Sequence, residues 1–356
     1  MRRRTPPDYK IPSMPNSSVK GALGALLDVV DRPGPLVILP HDNPDPDSLA
    51  SAATLQYLVR QKLKKESVIT LGGIVGRAEN RAMLKYLNIN LVPVGDIKFN
   101  ADTLVALVDT QPGRINNSLP DDFNPTVVID HHPAYCETHG IPFCDLRDEY
   151  GATSTILTEY LLDSRLEIET KIATALFYGI AAETQDLGRE ATQADIRASQ
   201  LLYPHTNKRR LAKIENARVP REYFRGFRDA IEKAMIYDKV VITSIGEVRY
   251  PDMVAEVADF LLRLDQAEWT VAMGYYEGAL YVSLRTTNRD VNAGDLLQKV
   301  LGSHHAGGHD QIAGGRMRVE QGAGSWERAA ERVTQRILQE LAIPAATAAE
   351  LLCRNR

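Results

Sequence analysis

The chain has 356 residues, of which 44% are hydrophobic and 25% are charged, so it is long enough for two domains with a core each. Its formal net charge of −4 excludes a globally basic surface for long nucleic acids, and any polyanionic ligand must therefore be bound by a local site. No run of about 18 apolar residues occurs, which predicts that no segment spans a membrane.

The cysteines and the N-terminal segment indicate in which cellular compartment the protein is located. Cys136, Cys144 and Cys353 form neither a CxxC pair nor an even set, which is typical of reduced thiols in a cytoplasmic protein. Residues 1–17 are basic and rich in proline, with no apolar stretch of signal-peptide length behind them. We therefore predict a disordered tail over 1–17 and a cytoplasmic location.

Apolar runs alternate with helix-like patterns in the first half of the chain. The predicted elements are a strand at 35–41, a helix at 48–63, a strand at 67–73, a helix at 79–88, strands at 103–109 and 126–130, and helices near 151–163 and 169–183. This alternation predicts an α/β fold with a doubly wound, mainly parallel sheet covered on both faces. We assign this domain to residues 18–203.

The order of elements changes after a charged segment at 204–235, which we predict to be a linker with connecting helices. The elements predicted beyond it are strands at 239–248, 268–278 and 279–287, and helices near 252–264, 294–301 and 325–341. They predict a smaller α/β domain over 236–342, followed by a flexible tail at 343–356.

Three predicted strands of the first domain end in acidic residues or histidines. The residues concerned are His41, Asp45 and Asp47 after the first strand, Asp109 after another, and Asp130, His131 and His132 after a third. Because strand ends of a parallel sheet converge on one crevice, these side chains should meet. Clustered carboxylates repel unless a cation lies among them, so the pattern predicts a metal site.

Each residue also has a simpler explanation. Asp47 alone could be the N-cap of the following helix, and Asp45 could be a turn residue in a stiff, non-helical "HDNPDPD" loop. Asp109 alone could be a residue that forms a turn after its strand. A hydrogen-bonded pair at a loop entrance would account for His131 and His132. Only the set, taken together with His41, favours a metal site.

The types of candidate ligand limit which metal ions fit the site and which reaction it can catalyse. Carboxylates with one or two imidazoles and no thiolate suit Mn²⁺ or Mg²⁺, with Fe²⁺ or Co²⁺ also possible. There are enough carboxylates for two ions about 3.5–4 Å apart, which would acidify a water between them for in-line attack on phosphorus. The predicted chemistry is hydrolysis of a phosphoester or phosphoanhydride.

Four sequence motifs resemble those of a known family. "HDNPDPDS", "VDTQ", "IDHHP" and "AGGHDQIAGG" resemble, in order and spacing, the DHH phosphoesterase superfamily with its associated C-terminal domain. Within that superfamily the chain resembles the branch of nanoRNases and oligoribonucleases, whose members also include pAp phosphatases and cyclic-dinucleotide phosphodiesterases. The resemblance covers about residues 35 to 320 and implies an active-site cleft between the two domains.

The resemblance implies a role for each residue of the cluster. His41, Asp45 and Asp109 would hold one ion, and Asp47, Asp109 and His131 the other, so that Asp109 bridges the two. Two catalytic roles complete the set, with His132 facing the scissile phosphate and Asp130 orienting the histidines.

One position departs from the family pattern. The aspartate that usually precedes a threonine after the DHH segment is replaced by Glu183, before Thr184. Asp186 is a rival ligand if the helix continues to it, and a solvated helix end is the simpler explanation for either acid.

In the second domain, the resemblance implies that Gly307, Gly308 and His309 bind substrate and that Arg285 reaches its terminal phosphate. The simpler alternatives are a flexible loop or a turn before a strand for the glycine-rich stretch, and a surface ion pair for Arg285.

These residues imply a hydrolase that converts short oligoribonucleotides or linear dinucleotides to mononucleotides with two divalent cations, Mn²⁺ above all, and Mg²⁺ or Co²⁺ as alternatives. A pAp phosphatase or cyclic di-AMP phosphodiesterase is the first alternative, a pyrophosphatase or exopolyphosphatase the second, and a nucleotide-binding protein without activity the third. The expected partners are small phosphorylated nucleotides rather than long duplexes or membranes, and the resemblance suggests a homodimer.

Overall fold

The computed structural model describes residues 21–114, 116–134, 140–308, 310–320, 322 and 324–352. The predicted tail at 1–17, the last four residues, two of the cysteines (Cys136 and Cys353) and the candidate ligand His309 lie outside these residues.

The first domain is built on six parallel strands in the order β3-β2-β1-β4-β5-β6. The strands are β1 (Leu36–Leu39), β2 (Ser67–Leu71), β3 (Leu91–Pro93), β4 (Leu104–Val108), β5 (Val127–Asp130) and β6 (Phe143–Leu146). The helices are α1 (Ala22–Val30), α2 (Pro46–Leu63), α3 (Ala78–Leu87), α4 (Thr153–Asp163), α5 (Thr170–Glu183) and α6 (Gln193–Leu202). The prediction of a doubly wound parallel sheet is confirmed.

The strand order positions the site. The chain moves from β1 outward to β3 and then returns to β4 on the other side of β1, so the order reverses between β1 and β4. Loops after strands on either side of such a point diverge and leave a crevice at the carboxyl ends of the strands. The four residues of β1 and the four of β5 are all buried, since helices cover both faces of the sheet.

Helix α2 begins two residues earlier than predicted, at Pro46, and Asp45 is its N-cap. The prediction of a non-helical loop up to Asp47 was wrong because proline fits the first turn of a helix, where its missing N–H has no intrahelical partner to lose.

Small residues let α2 and α5 pack closely. A side chain at Gly179 of α5 would place its Cβ 3.2 Å from the Cβ of Ala50 and 2.4 Å from the Oγ of Ser154, so the glycine permits the contact. Although α2 is buried along most of its length, none of the described helices has both the length and the apolar composition to cross a bilayer.

The second domain contains a mixed seven-stranded sheet in the order β11-β12-β10-β9-β8-β7-β13. Helices α7 (Lys208–Glu215) and α8 (Arg221–Glu232) occupy the segment predicted as a linker. The remaining elements are β7 (Met235–Tyr237), β8 (Val240–Glu247), α9 (Asp252–Leu261), β9 (Trp269–Tyr276), β10 (Ala279–Thr286), α10 (Ala293–Leu301), β11 (Ala306–Gly308), β12 (Ile312–Arg318), α11 (Ser325–Glu340) and β13 (Ala348–Glu350).

Two segments of this domain differ from the expectations. The glycine-rich stretch contributes the short strand β11 and the start of β12, so the alternative of a flexible loop was wrong and that of a turn before a strand agrees with β12. Strand β13, in the segment expected to be a flexible tail, pairs with β7 and completes an edge of the sheet. Both differences arise because backbone pairing depends on a neighbouring strand that local composition does not reveal.

A buried carboxylate ties α6 to the loop that precedes α4. Asp195 is fully buried and accepts hydrogen bonds from the backbone N–H of Gly151, from the hydroxyl of Thr155, and from both the N–H and the hydroxyl of Thr192. It therefore forms the capping box of α6 and also positions the start of α4.

We expect Asp195→Ala to lower the free energy of unfolding by about 3 kcal/mol, because several buried donors lose their acceptor at once. Urea unfolding followed by circular dichroism measures the change. Asp163→Ala, an exposed aspartate at the end of α4, is the matched control and should change stability by less than about 0.5 kcal/mol. Equal effects of the two substitutions would contradict the assignment.

Candidate metal centre

The ends of β1, β4 and β5 bring the predicted ligands together at the switch point of the sheet. Asp109, directly after β4, lies between two histidines. Its Oδ2 is 3.7 Å from the Nε2 of His41, and its Oδ1 is 3.7 Å from the Nε2 of His131. Two groups of described residues place ligand atoms within 4.8 Å of one another, namely His41, Asp45 and Asp109, and Asp109, His131 and His132. Asp109 is common to both groups.

The backbone of Asp109 is held in an unusual conformation. Its φ of 60° lies in the left-handed region, which a residue other than glycine adopts at a cost of about 1 kcal/mol or more. Its N–H donates to the carbonyl of Ile129, and its Oδ1 accepts from the hydroxyl of Thr153 at 2.8 Å. The carboxylate, only 2% exposed, is therefore aimed into the crevice from a fixed position.

Asp45 serves both the helix and the cluster. Its Oδ1 accepts from the N–H of Ser48 at 2.9 Å and caps α2, while its Oδ2 lies 3.6 Å from the Nε2 of His41. The sequence alternatives assigned this cap to Asp47, which was wrong because the helix begins one residue after Asp45. The cap and the ligand position are compatible, since each uses a different oxygen.

Asp47 is fully buried in the first turn of α2. Its two oxygens accept from the N–H groups of Thr153 and Ser154, at 2.8 Å and 2.7 Å, where α4 begins. Its Oδ2 also lies 4.0 Å from the Nε2 of His131. The N-terminus of α4 thus stabilises a carboxylate that would otherwise be expensive to bury.

The carbonyl group of Tyr150 determines which ring nitrogen of His131 carries the proton. Its Nδ1 lies 3.1 Å from the carbonyl oxygen of Tyr150, which can only accept, so Nδ1 carries the proton. The lone pair of Nε2 then faces Asp47 and Asp109. This is the arrangement of a metal-ligating imidazole oriented from behind by a carbonyl.

Residues around Tyr150 hold that carbonyl in place. The Tyr150 hydroxyl donates to Glu159 at 2.9 Å, and Arg147 binds both Glu159 and Asp145. Sequence reasoning missed this support because its members are distant in the chain and belong to no motif.

His132 is oriented by Asp130. Its Nδ1 lies 2.7 Å from Asp130 Oδ1, and the other oxygen of Asp130 accepts from the side chain of Gln111 at 2.8 Å. Burial raises the pKa of Asp130, but the contact with His132 outweighs it and lowers the pKa to about 2. Asp130 is thus an anion that fixes the imidazole by one edge. Gln111 belongs to the "VDTQ" motif but was given no role from sequence.

Burial and mutual repulsion of the carboxylates raise the pKa values of several groups in the cluster. Burial together with the charges of Asp47 and Asp45 raises the pKa of Asp109 well above its ordinary value. Burial also raises the pKa of Asp47 to about 6. At His41 and His131 burial acts in the opposite direction, but the surrounding carboxylates raise both pKa values. A divalent cation would relieve this repulsion, and oxygen and imidazole donors without sulfur fit Mn²⁺ or Mg²⁺.

Glu183 and Asp186 occupy different surroundings. Helix α5 ends at Glu183, whose charge contributes to the raised pKa values of the cluster histidines. The helix does not continue, because Gln185, Asp186 and Leu187 all have left-handed φ angles. Asp186 is exposed on this turn, and its charge instead affects Tyr178 and Glu215.

Three of the predicted substrate residues of the second domain, Arg285, Gly307 and Gly308, belong to the described residues and lie on β10 and β11. Arg285 is buried on β10 and lines a cavity of about 280 Å³ together with Gln185 and Arg189 of the first domain. Gly307 and Gly308 lie on β11, where a Cβ at Gly308 would be 2.2 Å from the carbonyl oxygen of Ile312. Neither glycine lines that cavity, although Gln311 does.

The comparison with protein families agrees with this geometry. The N-terminal domain of the DHH family matches residues 35–180, and the DHHA1 domain matches residues 237–341. The chain belongs to the DHH family. The resemblance noted from the sequence motifs is confirmed, and the two matched regions correspond to the two sheets.

Several curated relatives are similar to this chain. It is 33% identical to the uncharacterized protein MJ1633 of Methanocaldococcus jannaschii, over 80% of the chain and 58% of that protein. It is 25% identical to the cyclic-di-AMP phosphodiesterase GdpP of Bacillus subtilis, over 79% of the chain and 45% of GdpP. A probable manganese-dependent inorganic pyrophosphatase of Enterococcus faecalis is 26% identical over 47% of the chain and 54% of that protein. The chain thus spans about half the length of these relatives.

A solved structure shares the fold. The crystal structure of an exopolyphosphatase-related protein from Bacteroides fragilis has a TM-score of 0.63 and 13% sequence identity. The match covers 90% of this chain and 96% of that protein, so it includes both domains.

The raised pKa values predict how the metal-free protein responds to pH. Asp47, Asp109, His41 and His131 all bind protons more tightly when folded than when unfolded. Their contribution to stability is therefore present at low pH and is lost as the pH rises through the folded pKa values.

With divalent cations chelated, we expect the free energy of unfolding to fall by on the order of 2 kcal/mol more between pH 5 and 7.5 in the wild type than in Asp47→Asn. Urea unfolding at each pH measures this difference, with Asp163→Asn as the exposed control that should follow the wild type. Parallel pH profiles for the wild type and Asp47→Asn would contradict the electrostatic account.

Proposed function

We propose that this protein is a metal-dependent phosphoesterase that hydrolyses short oligoribonucleotides or linear dinucleotides to mononucleotides. The observation that carries the proposal is the position of Asp109, whose two oxygens face two separate histidines at 3.7 Å each. A carboxylate in this position could bridge two cations, and paired metal ions stabilise the attacking and leaving oxygens in many phosphoryl-transfer sites.

In this proposal the residues divide between two ions, most favourably Mn²⁺. His41, Asp45 and Asp109 hold the first, and Asp47, Asp109 and His131 hold the second, with Glu183 as its further ligand. When bound, such ions supply an acidified water as the nucleophile and neutralise charge on the phosphate. The protein holds the carboxylates in place through the N-termini of α2 and α4.

His132 and Asp130 act as a pair. Asp130 keeps the imidazole fixed through Nδ1, so that His132 can donate from its other edge to a phosphate oxygen or to the departing oxygen. Gln111 restrains Asp130 from the opposite side, so the pair moves little as charge develops.

The cleft between the domains supports a nucleotide substrate. Arg189 of the first domain and Arg285 and Arg289 of the second line the same cavity, so a phosphate there would be bound from both sides. The similarity to GdpP extends over 79% of the chain, which supports a substrate with two linked nucleotides. The proposed role of Gly307, Gly308 and His309 is to bind the same substrate.

Other substrates of the same chemistry remain alternatives to be assayed. They are pAp and cyclic di-AMP, and pyrophosphate or polyphosphate as a second class. Similarity to a manganese-dependent pyrophosphatase favours the latter, but it covers only 47% of the chain. The proposal includes a homodimer located in the cytoplasm.

We expect purified protein with Mn²⁺ to release mononucleotides from a 5′-phosphorylated RNA dinucleotide, with smaller rates on pAp, cyclic di-AMP and pyrophosphate. Asp109→Asn should lower kcat by at least about 10³-fold because both ions lose their shared ligand. Asp163→Asn is the control, and chromatography of the products is the measurement. Faster turnover of pyrophosphate than of dinucleotide would replace this function by the second class.

The two rival ligands can be separated by metal binding alone. Glu183→Gln should weaken binding of Mn²⁺ by at least about tenfold, whereas Asp186→Asn should leave it unchanged because that side chain lies on the exposed turn. Isothermal titration with MnCl₂ measures both. The reverse pattern would assign the ligand to Asp186.

A further inference from the structure

The guanidinium group of Arg285 is held by three acceptors. Its Nη1 donates to the carbonyl oxygens of Leu284 and Ala313, at 3.0 Å and 3.3 Å, and its Nε donates to Asp259 Oδ1 at 2.5 Å. The side chain is only 8% exposed. Arg285 is therefore rigid, and one of its edges is occupied by a carboxylate of the protein itself.

Asp259 is placed differently from its partner. It lies on α9, its side chain is 40% exposed, and its second oxygen is 3.8 Å from Nη2 of Arg77 in the first domain. An aspartate at this exposure can rotate towards water at little cost, whereas Arg285 cannot move without losing its carbonyl partners. The carboxylate is the exchangeable member of the group.

A third arginine approaches the same place. Arg189 lines the cavity beside Arg285, and its Nε is buried without a hydrogen-bond partner among the described residues. Burial lowers the pKa of Arg285, and the charges of Arg77 and Arg189 lower it further, against the effect of Asp259. Arginines from three segments therefore lie near Asp259. Arg189 Nη2 is also 3.7 Å from Glu183 Oε1, and the charges of Glu256 and Asp252 also act on Arg77, so Asp259 is one of several carboxylates that these arginines face.

We propose that Asp259 is a competing anion in a phosphate site, and that a terminal phosphomonoester displaces it from Arg285 and Arg77. This inference rests on the proposed function for the identity of its substrate. A phosphomonoester carries about two negative charges at neutral pH and can replace a carboxylate on a planar guanidinium group. Because the product mononucleotide keeps such a phosphate, the return of Asp259 also promotes product release.

The competition makes Asp259 a specificity-determining residue, not a catalytic one. Removing its charge should strengthen binding of every ligand that carries a terminal phosphate and should not affect the same ligand without it. If the ion pair between Asp259 and Arg285 had only a structural role, the same substitution would have the opposite effect. It would leave Arg285 less well positioned and would weaken phosphate binding.

The experiment is isothermal titration of the full chain with adenosine 5′-monophosphate, with divalent cations chelated so that the phosphate cannot bind to metal. We expect Asp259→Asn to bind the nucleotide about tenfold more tightly than the wild type. Adenosine should show no such change. Asp259→Glu, which keeps a carboxylate, and Asp265→Asn, an exposed aspartate beyond α9, should bind like the wild type.

A second substitution tests the partner arginine. Arg77→Ala in the Asp259→Asn background should reverse most of the gain, because the freed phosphate contact is removed. Arg60→Ala, at an exposed ion pair on α2, is its control.

Equal or weaker binding by Asp259→Asn would overturn the proposal and leave Asp259 as structural support for Arg285. Failure of both proteins to bind the nucleotide would overturn it as well, since no phosphate site would exist there. These titrations involve no turnover, so failure of the proposed hydrolysis is recognised separately, as folded protein that binds adenosine 5′-monophosphate but cleaves no dinucleotide.

Discussion

The repulsion between carboxylates gathered at the switch point of the first sheet is the constraint on which the rest of this structure depends. Asp47 and Asp109 are almost completely buried, and Asp45 lies close to both. Such a group would destabilise the fold unless positive charge or hydrogen-bond donors faced it. The elements around it can be understood as sources of those donors.

Backbone groups supply a large part of this compensation. Helix α2 directs an N–H at Asp45, and the first turn of α4 directs two at Asp47. Helix N-termini carry partial positive charge, so they stabilise these anions without adding side chains that would compete as ligands. Asp195 in turn holds the loop before α4, which connects a buried residue of α6 to the geometry of the cluster.

Arginines of both domains lie beside one cavity. Arg189 of the first domain and Arg285 and Arg289 of the second line the cavity beside β10. Asp259 contacts Arg285 and also Arg77 of the first domain. In the proposed function, metal ions held by the carboxylates would bind one part of a phosphorylated ligand, and the guanidinium groups of the arginines would bind another. In that proposal, this division would let a chain with a formal net charge of −4 bind a polyanion.

The sequence by itself determined the α/β class and the parallel arrangement of the first sheet, and it identified the acidic residues and histidines that follow its strands as candidate ligands. These features depend on local periodicity and on the order of elements, which a single chain displays directly. It also identified the family, because "HDNPDPDS", "VDTQ" and "IDHHP" are contiguous motifs.

Only the tertiary structure decided which oxygen of Asp45 caps α2, which nitrogen of His131 faces Asp109, and that α5 ends before Asp186. It also revealed the contacts of Gln111, Tyr150 and Asp259, and the pairing of β13 with β7. The physical reason is the same in each case. Hydrogen bonds and ion pairs between residues far apart in the chain depend on distances and directions in space, and composition and spacing do not record these.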